Sequence, residues 1–180
     1  MKKQGFTLIE LMVVIVIMGI LAAVAVPKLF GMIAKSKASE VGPAAGTYVK
    51  LQDAYVSEKG TAVGSWKQIG YLMKNSNNFY YCGAATCAVN TNTDGYGGQA
   101  DITVADGATN YTGGVWTAHN IATLNDCQVG DNWKITTAAN NSTGGTVLYD
   151  ATVTANCEPL TANFTKLKTT AATTGQGENP

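Results

Sequence analysis

The sequence contains no arginine, and His119 is its only histidine. Without guanidinium groups, the chain lacks the side chain best suited to bidentate contacts with phosphates and bases. Between residues 75 and 165, carboxylates far outnumber the single lysine, Lys134. They are Asp94, Asp101, Asp106, Asp126, Asp131, Asp150 and Glu158. This acidic region would repel a phosphate backbone, so we expect it to bind no nucleic acid.

A single histidine also limits the catalytic and metal-binding sites that the chain could form. A metal site with several histidine ligands is excluded, and the usual Ser/His and Cys/His nucleophilic arrangements would all depend on His119. The carboxylates fall in no recognisable catalytic motif, as is usual for scattered surface acids. We therefore expect a protein that is not an enzyme, with no catalytic residues and no cofactor.

Charge is also missing from residues 11–26, which form a long apolar run. As a helix, residues 6–26 would be about 31 Å long, enough to cross a hydrocarbon core of about 30 Å. Glu10 is the only charged residue in that span. A carboxylate in hydrocarbon is unfavourable, so Glu10 either reaches the membrane interface or pairs with a cation.

The segment GFTLIE, residues 5–10, follows a short basic leader and precedes the apolar run. In these features the chain resembles the type IV pilins and the related pseudopilins, most strongly over residues 1–30. The resemblance implies that a prepilin peptidase cuts between Gly5 and Phe6, and that the new amino terminus on Phe6 is methylated. Cleavage of an ordinary signal peptide removes its apolar segment, whereas a cut between Gly5 and Phe6 leaves that segment in the mature protein.

The resemblance also implies how the chain assembles. Glu10 of one subunit would pair with the Phe6 amine of a neighbour. Because desolvation of both ions offsets much of their attraction, we expect this pair to set the axial register of the subunits and not mainly to stabilise the fibre. The implied partners are further copies in a helical homopolymer, the inner membrane before assembly, the prepilin peptidase/methyltransferase and the pilus assembly machinery, with minor pilins as further candidates. The implied location is the bacterial inner membrane as a prepilin and then the extracellular pilus.

The fold that the resemblance implies is the α+β pilin fold. A long amino-terminal helix, whose hydrophobic half protrudes, would pack on an antiparallel β-sheet head. The expected divisions are a leader peptide at 1–5, a transmembrane and assembly helix at 6–26, an amphipathic helix at 27–60, a β-rich head with disulfides at 61–168 and a flexible tail at 169–180.

Beyond Pro27, apolar residues recur at helical intervals and predict a face that packs on the head. They are Leu29, Ile33, Val41, Ala45, Tyr48, Val49, Tyr55 and Val56. Gly42-Pro43 should bend this helix, and Gly60 should end it. Gly19 and Pro27 are predicted weak points, because glycine and proline both weaken a helix. The segment between them either has a static kink or, as the resemblance implies, loses helicity in the fibre.

After Gly60 the sequence becomes rich in Thr, Asn, Gly and Ala, with short runs of strand-forming residues that suggest an antiparallel sheet. These runs are residues 79–82, 101–104, 115–117, 133–137 and 146–154. Four apolar residues between the helix and the first run are expected in the core. They are Trp66, Ile69, Tyr71 and Leu72.

The four cysteines, Cys82, Cys87, Cys127 and Cys157, all follow the apolar run and would lie in an oxidising compartment, where disulfides form. Zinc is disfavoured because the cysteines do not form two closely spaced pairs. The sequence alone leaves three connectivities open. The resemblance implies a bridge that closes the carboxy-terminal region, Cys127–Cys157, together with Cys82–Cys87.

Residues 90–101 follow the ligand spacing of a twelve-residue calcium loop, with Gly95 at its centre. The oxygen ligands would be Asn90, Asn92, Asp94 and Asp101. Asn90 replaces the usual first aspartate and Asp101 the usual final glutamate, so only two carboxylates are present. A glycine-rich turn explains the same residues, and we expect no metal.

The expected function is therefore a structural subunit of a type IV pilus that serves adhesion, twitching motility or aggregation. A pseudopilin of a type II secretion system would have the same amino terminus and stays open as an alternative. Long surface fibres would distinguish the pilin. A membrane-tethered binding domain that never polymerises is a third possibility, and it would give only monomers in cross-linking.

Overall fold

A computed structural model of the protein describes residues 5–60, 62–88, 91–103, 113–138 and 147–169. Two consecutive helices, α1 (Leu8–Ala38) and α2 (Val41–Lys59), form its amino-terminal part. Gly60 ends α2, which confirms the predicted stop. It has φ 71° and donates its N–H to the Val56 carbonyl at 2.7 Å, in the left-handed conformation that glycine adopts at low cost.

The break between the two helices falls at Ser39 and Glu40, just before the predicted position at Gly42-Pro43. Pro43 is the third residue of α2. Backbone N–H groups in the first turn of a helix have no acceptor within that helix, so a proline is tolerated there. The second helix therefore begins before the proline instead of breaking at it.

Only the carboxy-terminal part of this helical stem, from Ala34 onward, packs on the head. Ala34 and Ala38 are the buried residues of α1. The predicted apolar face is confirmed in α2, where Val41, Ala45, Tyr48 and Val56 are buried. The prediction was wrong for Leu29 and Ile33, which are 55% and 43% exposed, because the head reaches down the stem only as far as Ala34.

The described part of the head contains a four-stranded antiparallel sheet, in the order β1-β2-β3-β4. The strands are β1 (Phe79–Cys82), β2 (Val115–Asn120), β3 (Gly130–Ala138) and β4 (Leu148–Val153). In register, Trp133 of β3 lies opposite Ala118 of β2 and Val153 of β4. A long amino-terminal helix followed by this sheet confirms the α+β architecture.

The predicted strand runs agree with the sheet at four places out of five. Residues 79–82 are β1, and residues 115–117 and 133–137 lie within the longer strands β2 and β3. The run 146–154 contains β4, although its first residue is outside the part of the chain that the structure describes.

Residues 101–103 are not a strand, contrary to the prediction, and Val104 lies outside the described residues. The side chain of Gln68 takes the place of a neighbouring strand. Its Oε1 accepts the Ile102 N–H at 3.0 Å, and its Nε2 donates to the Ile102 carbonyl at 3.1 Å. Because one amide side chain satisfies both backbone groups of Ile102, this segment needs no strand partner.

The core lies between α2 and the sheet and contains three fully buried tryptophans, Trp66, Trp116 and Trp133. Tyr71 packs edge-to-face on Trp66, with ring centroids 4.7 Å apart. The predicted core positions are confirmed for Trp66, Ile69 and Tyr71. The prediction was wrong for Leu72, which is 57% exposed and lies against the backbone of Gly95 instead.

Two disulfides join parts of the head, Cys82–Cys87 and Cys127–Cys157, and they are the pairs that the resemblance implied. The first closes a short loop after β1. The second joins the chain before β3 to the turn after β4. Two short 3-10 helices follow, Glu158–Leu160 and Phe164–Leu167, and they pack beside the junction of α1 and α2.

Candidate assembly surface

The stem below the head exposes a continuous apolar surface. Every large hydrophobic side chain from Phe6 to Ile33 is at least 43% exposed, and Phe6 itself is 85% exposed. As far as Val26, Glu10 is the only charged residue on this surface. Monomeric soluble proteins rarely leave so large an apolar area in water, so the surface indicates an interaction with a membrane, with other protein chains, or with both in turn.

The helical stretch Leu8–Lys59 is also the one stretch within the described ranges that is long and apolar enough to cross a membrane. The buried helix of a soluble protein can meet the same criterion. Here, however, none of the most apolar part of the helix is buried inside the protein. Length, composition and exposure therefore agree with a helix whose apolar surface is covered by something other than its own head.

Thr7 and Glu10 form a capping box at the start of α1. The backbone N–H and the hydroxyl of Thr7 both donate to Glu10 Oε2, at 2.9 and 2.7 Å, and the Glu10 N–H donates to Thr7 Oγ1 at 3.3 Å. These bonds satisfy N–H groups that the first turn leaves without helical partners. Sequence reasoning missed the role of Thr7, although the Thr-x-x-Glu spacing is a known signal for it.

Gly5 and Phe6 lie immediately before α1, and both are exposed. The rest of the predicted leader, residues 1–4, is outside the described part of the chain. No atom lies within 4 Å of the position that a Cβ would take at Gly5, so the backbone there is uncrowded. Phe6 and Glu10 line the same shallow depression. The structure thus brings the predicted cleavage point and the predicted assembly carboxylate together at one end of the stem.

The predicted weak points, Gly19 and Pro27, both lie inside α1, which stays helical through them. Pro27 has no N–H to donate to the carbonyl of Ala23, one turn earlier. No neighbouring atom lies within 4 Å of a Cβ position at Gly19. In the isolated chain the helix is therefore continuous, with one missing hydrogen bond and one residue of low helix propensity.

The predicted calcium ligands make other hydrogen bonds where the structure describes them, and Asn90 is outside that part. Asn92 is buried, and its Oδ1 accepts the Gly97 N–H at 2.8 Å. Asp94 accepts the N–H of the residue two positions later, as in an Asx turn, and Asp101 accepts from a serine hydroxyl. Within the described ranges, no group of three or more His, Cys, Asp or Glu side chains is placed to hold a metal ion.

The head is joined to the stem by hydrogen bonds from tyrosines. Tyr149 Oη of β4 lies 2.7 Å from Asp53 Oδ1 of α2. Partial burial raises the pKa of Asp53, although the bond from Tyr149 acts in the opposite direction. Burial likewise raises the pKa of Tyr149, and it raises the pKa of Tyr71 to about 12. Both phenols are therefore neutral hydrogen-bond donors at physiological pH.

Residues 1–26 match the family model described as the prokaryotic N-terminal methylation motif. Over 96 residues the chain is 35% identical to the type IV major pilin protein PilA of Myxococcus xanthus, an alignment that covers 52% of this chain and 44% of that protein. The resemblance to the type IV pilins is confirmed.

Two further relatives agree with it. The fimbrial protein EcpC of Eikenella corrodens is 48% identical over 58 residues, which are 32% of this chain and 38% of that one. The type IV major fimbrial protein FimA of Dichelobacter nodosus is 44% identical over 63 residues, 34% and 39% of the two chains. The chain spans less than half the length of the curated pilins that it matches. No solved structure matches it.

Proposed function

We propose that this protein is a structural subunit of a type IV pilus filament that polymerises through its amino-terminal helix. The observation that carries the proposal is the apolar surface of α1, which is exposed from Phe6 to Ile33 although the helices from Ala34 onward form a buried core with the sheet. The names of the relatives, major pilins and fimbrial proteins, favour a pilus over a secretion pseudopilus. The filament would serve adhesion, twitching motility or aggregation.

Processing would make the subunit competent for assembly. A prepilin peptidase would remove the leader, residues 1–5, and methylate the new amino terminus on Phe6. The match to the methylation motif and the exposed backbone at Gly5 support this step. The mature chain would keep residues 6–26 as its membrane and assembly helix, 27–60 as the helix that enters the head, 61–168 as the head and 169–180 as the tail.

During assembly, the apolar stem would leave the inner membrane and enter the core of a filament of identical subunits. Lipid tails are as apolar as a neighbouring helix, so this transfer has no large hydrophobic driving force. Close helix packing, the charge pair at Glu10 and an assembly machine acting from the cytoplasm would have to drive it. Minor pilins would be added by the same route.

The geometry of Glu10 suits this role. Its Oε2 accepts both hydrogen bonds from Thr7, which leaves Oε1 as the oxygen that could accept the Phe6 amine of a neighbouring subunit. The self-capping bonds hold the carboxylate against its own helix start, so it is already oriented before a partner arrives. We infer that Gly19 and Pro27 then allow the helix between them to adjust to its neighbours in the filament.

The test is to shear surface fibres from cells and to measure both the amount of this protein and the mass of its first peptide. We expect the protein to be a major fibre component, with a mature chain that begins at methylated Phe6. A mature chain that begins downstream of Val26, without the apolar helix, would rule the proposal out. A mature chain that begins at methylated Phe6 but is absent from long fibres would instead favour the secretion pseudopilus.

A further inference from the structure

The exposed apolar surface of the stem is longer than a membrane requires. Interrupted by Lys28, it continues past Val26 through Leu29, Phe30 and Met32 to Ile33. In a helix, residues 6–33 extend about 41 Å, compared with a hydrocarbon core of about 30 Å. A transmembrane helix with such an excess usually tilts to keep its apolar surface in lipid. Tilting would bring the lower end of the head down to the lipid headgroups.

An open groove of about 420 Å³ lies at this lower end, between the junction of the two helices and the 3-10 helices that follow β4. The apolar residues Leu160, Phe164 and Leu167 line it, together with Lys35, Thr161 and Asn163. Thr161 Oγ1 accepts the Trp133 indole N–H at 2.7 Å, so its own hydroxyl proton remains to be donated. The groove is therefore lined by a lysine, by a threonine whose hydroxyl proton is free and by an asparagine, beside an apolar wall.

Lys28 and Lys35 are seven residues apart, which places them on the same face of α1. Helical side chains lean toward the amino terminus of their helix, and in this protein that direction is toward the membrane. Both lysines are exposed, and neither has a carboxylate within 4.0 Å among the residues that the structure describes. Lys28 thus lies near the head-side end of the apolar surface, between Val26 and Leu29, and Lys35 lies just beyond Ile33 and lines the groove.

We propose that Lys28, Lys35 and the groove bind the phosphate of an anionic phospholipid while the subunit is stored in the membrane. The ammonium groups attract the phosphate, Thr161 and Asn163 donate hydrogen bonds, and the apolar wall contacts the upper part of the lipid. This inference rests on the proposed function, because it requires residues 6–26 to be in a bilayer. When the subunit enters a filament, the lipid contact is lost.

The test uses the full chain in phosphatidylcholine-containing detergent micelles with increasing phosphatidylglycerol, and native mass spectrometry to count the lipids that remain bound. We expect the wild type to retain phosphatidylglycerol in preference to phosphatidylcholine. Each lysine near an anionic surface contributes about a fivefold preference, so K28Q/K35Q should raise the phosphatidylglycerol fraction for half occupancy by about tenfold or more. K28R/K35R should retain the preference, because the charges remain.

Lys37→Gln is the matched control. Lys37 is at nearly the same height as Lys35 but on the opposite side of the helix, so it should matter little to a lipid held in the groove. An equal effect of Lys37→Gln and Lys35→Gln would overturn the assignment to the groove. Inorganic phosphate at millimolar concentration should not displace the lipid, and displacement would mean that the site selects free phosphate.

Retention of phosphatidylglycerol by K28Q/K35Q at the wild-type level would overturn the proposal, and a simultaneous loss of filaments would show that the lysines face a second copy of the chain. A wild-type chain that does not enter micelles at all would contradict the membrane stage of the proposed function, and this inference with it. Entry without any preference between the two lipids would contradict this inference alone.

Discussion

Trp116 Nε1 of β2 donates a hydrogen bond to Tyr71 Oη at 3.0 Å, deep in the core. The same phenol donates to the Ala44 carbonyl of α2, also at 3.0 Å. Tyr71 therefore connects the sheet to the stem helix through one oxygen. Buried hydrogen bonds thus join the stem and the head across the core, in addition to the covalent chain.

Replacing Tyr71 by phenylalanine should destabilise the head. The ring would still fill its space, but the buried indole N–H of Trp116 would lose its acceptor. Such an unsatisfied donor lowers the free energy of unfolding by about 1–3 kcal/mol, which urea denaturation would measure. The control is Tyr80→Phe at a half-buried position, with an expected change within about 0.5 kcal/mol. Equal effects of the two substitutions would contradict the role of the Tyr71 hydroxyl.

Asp53 should make stability depend on pH in the acid range. Burial raises its pKa in the folded protein, so the folded state keeps its proton to a higher pH than the unfolded chain does. Its contribution to stability is then fully present below the unfolded-state pKa and is lost as the pH rises through the folded-state pKa. The unfolding free energy of the wild type, relative to Asp53→Asn, should therefore fall as the pH rises through and above the range in which an ordinary aspartate titrates.

Urea denaturation of both proteins across this range would measure that difference. Tyr149→Phe supplies a second check, because the bond from Tyr149 lowers the pKa of Asp53. Without that bond the fall should extend to higher pH, because only the folded-state pKa of Asp53 is raised further. A difference between wild type and Asp53→Asn that stays constant or rises with pH would contradict the predicted direction of the pKa shift.

The two disulfides should contribute unequally to stability. They close loops with sequence separations of 5 and 30 residues. In the chain-entropy model, the longer loop corresponds to about 3.5–4 kcal/mol and the shorter one to about 2 kcal/mol. We expect Cys127→Ala/Cys157→Ala to lower the unfolding free energy more than Cys82→Ala/Cys87→Ala does. The reverse order in denaturant titrations would show that packing around Cys82, and not loop closure, dominates.

Glu10→Ala should abolish or strongly reduce filament yield, measured as subunit in sheared fibres relative to subunit in the membrane. Thr7→Val separates two possible reasons for this effect. It removes the hydroxyl of the capping box but keeps the carboxylate that would pair with a neighbouring Phe6 amine. If the intersubunit pair sets the register, Thr7→Val should retain most of the yield. An equal loss in both variants would indicate that Glu10 acts only as a helix cap.

The local features of the stem could be read from the residues alone. Helix formation, the stop at Gly60 and the apolar run after Glu10 depend on neighbours a few positions apart, and short-range patterns in the sequence report such interactions directly. The Thr7–Glu10 cap belongs to the same class, since its spacing is visible. The β1 run at 79–82 was equally readable, because its aromatic residues favour a strand.

Interactions between distant parts of the chain decided the rest. The apolar pattern at Leu29 and Ile33 is the same as in α2, but whether it is covered depends on how far down the stem the folded head extends. Residues 101–103 have strand-forming character, yet the side chain of Gln68, which is far away in sequence, satisfies both backbone groups of Ile102. A local pattern shows which groups need a partner, and only the packed fold determines which partner each group meets.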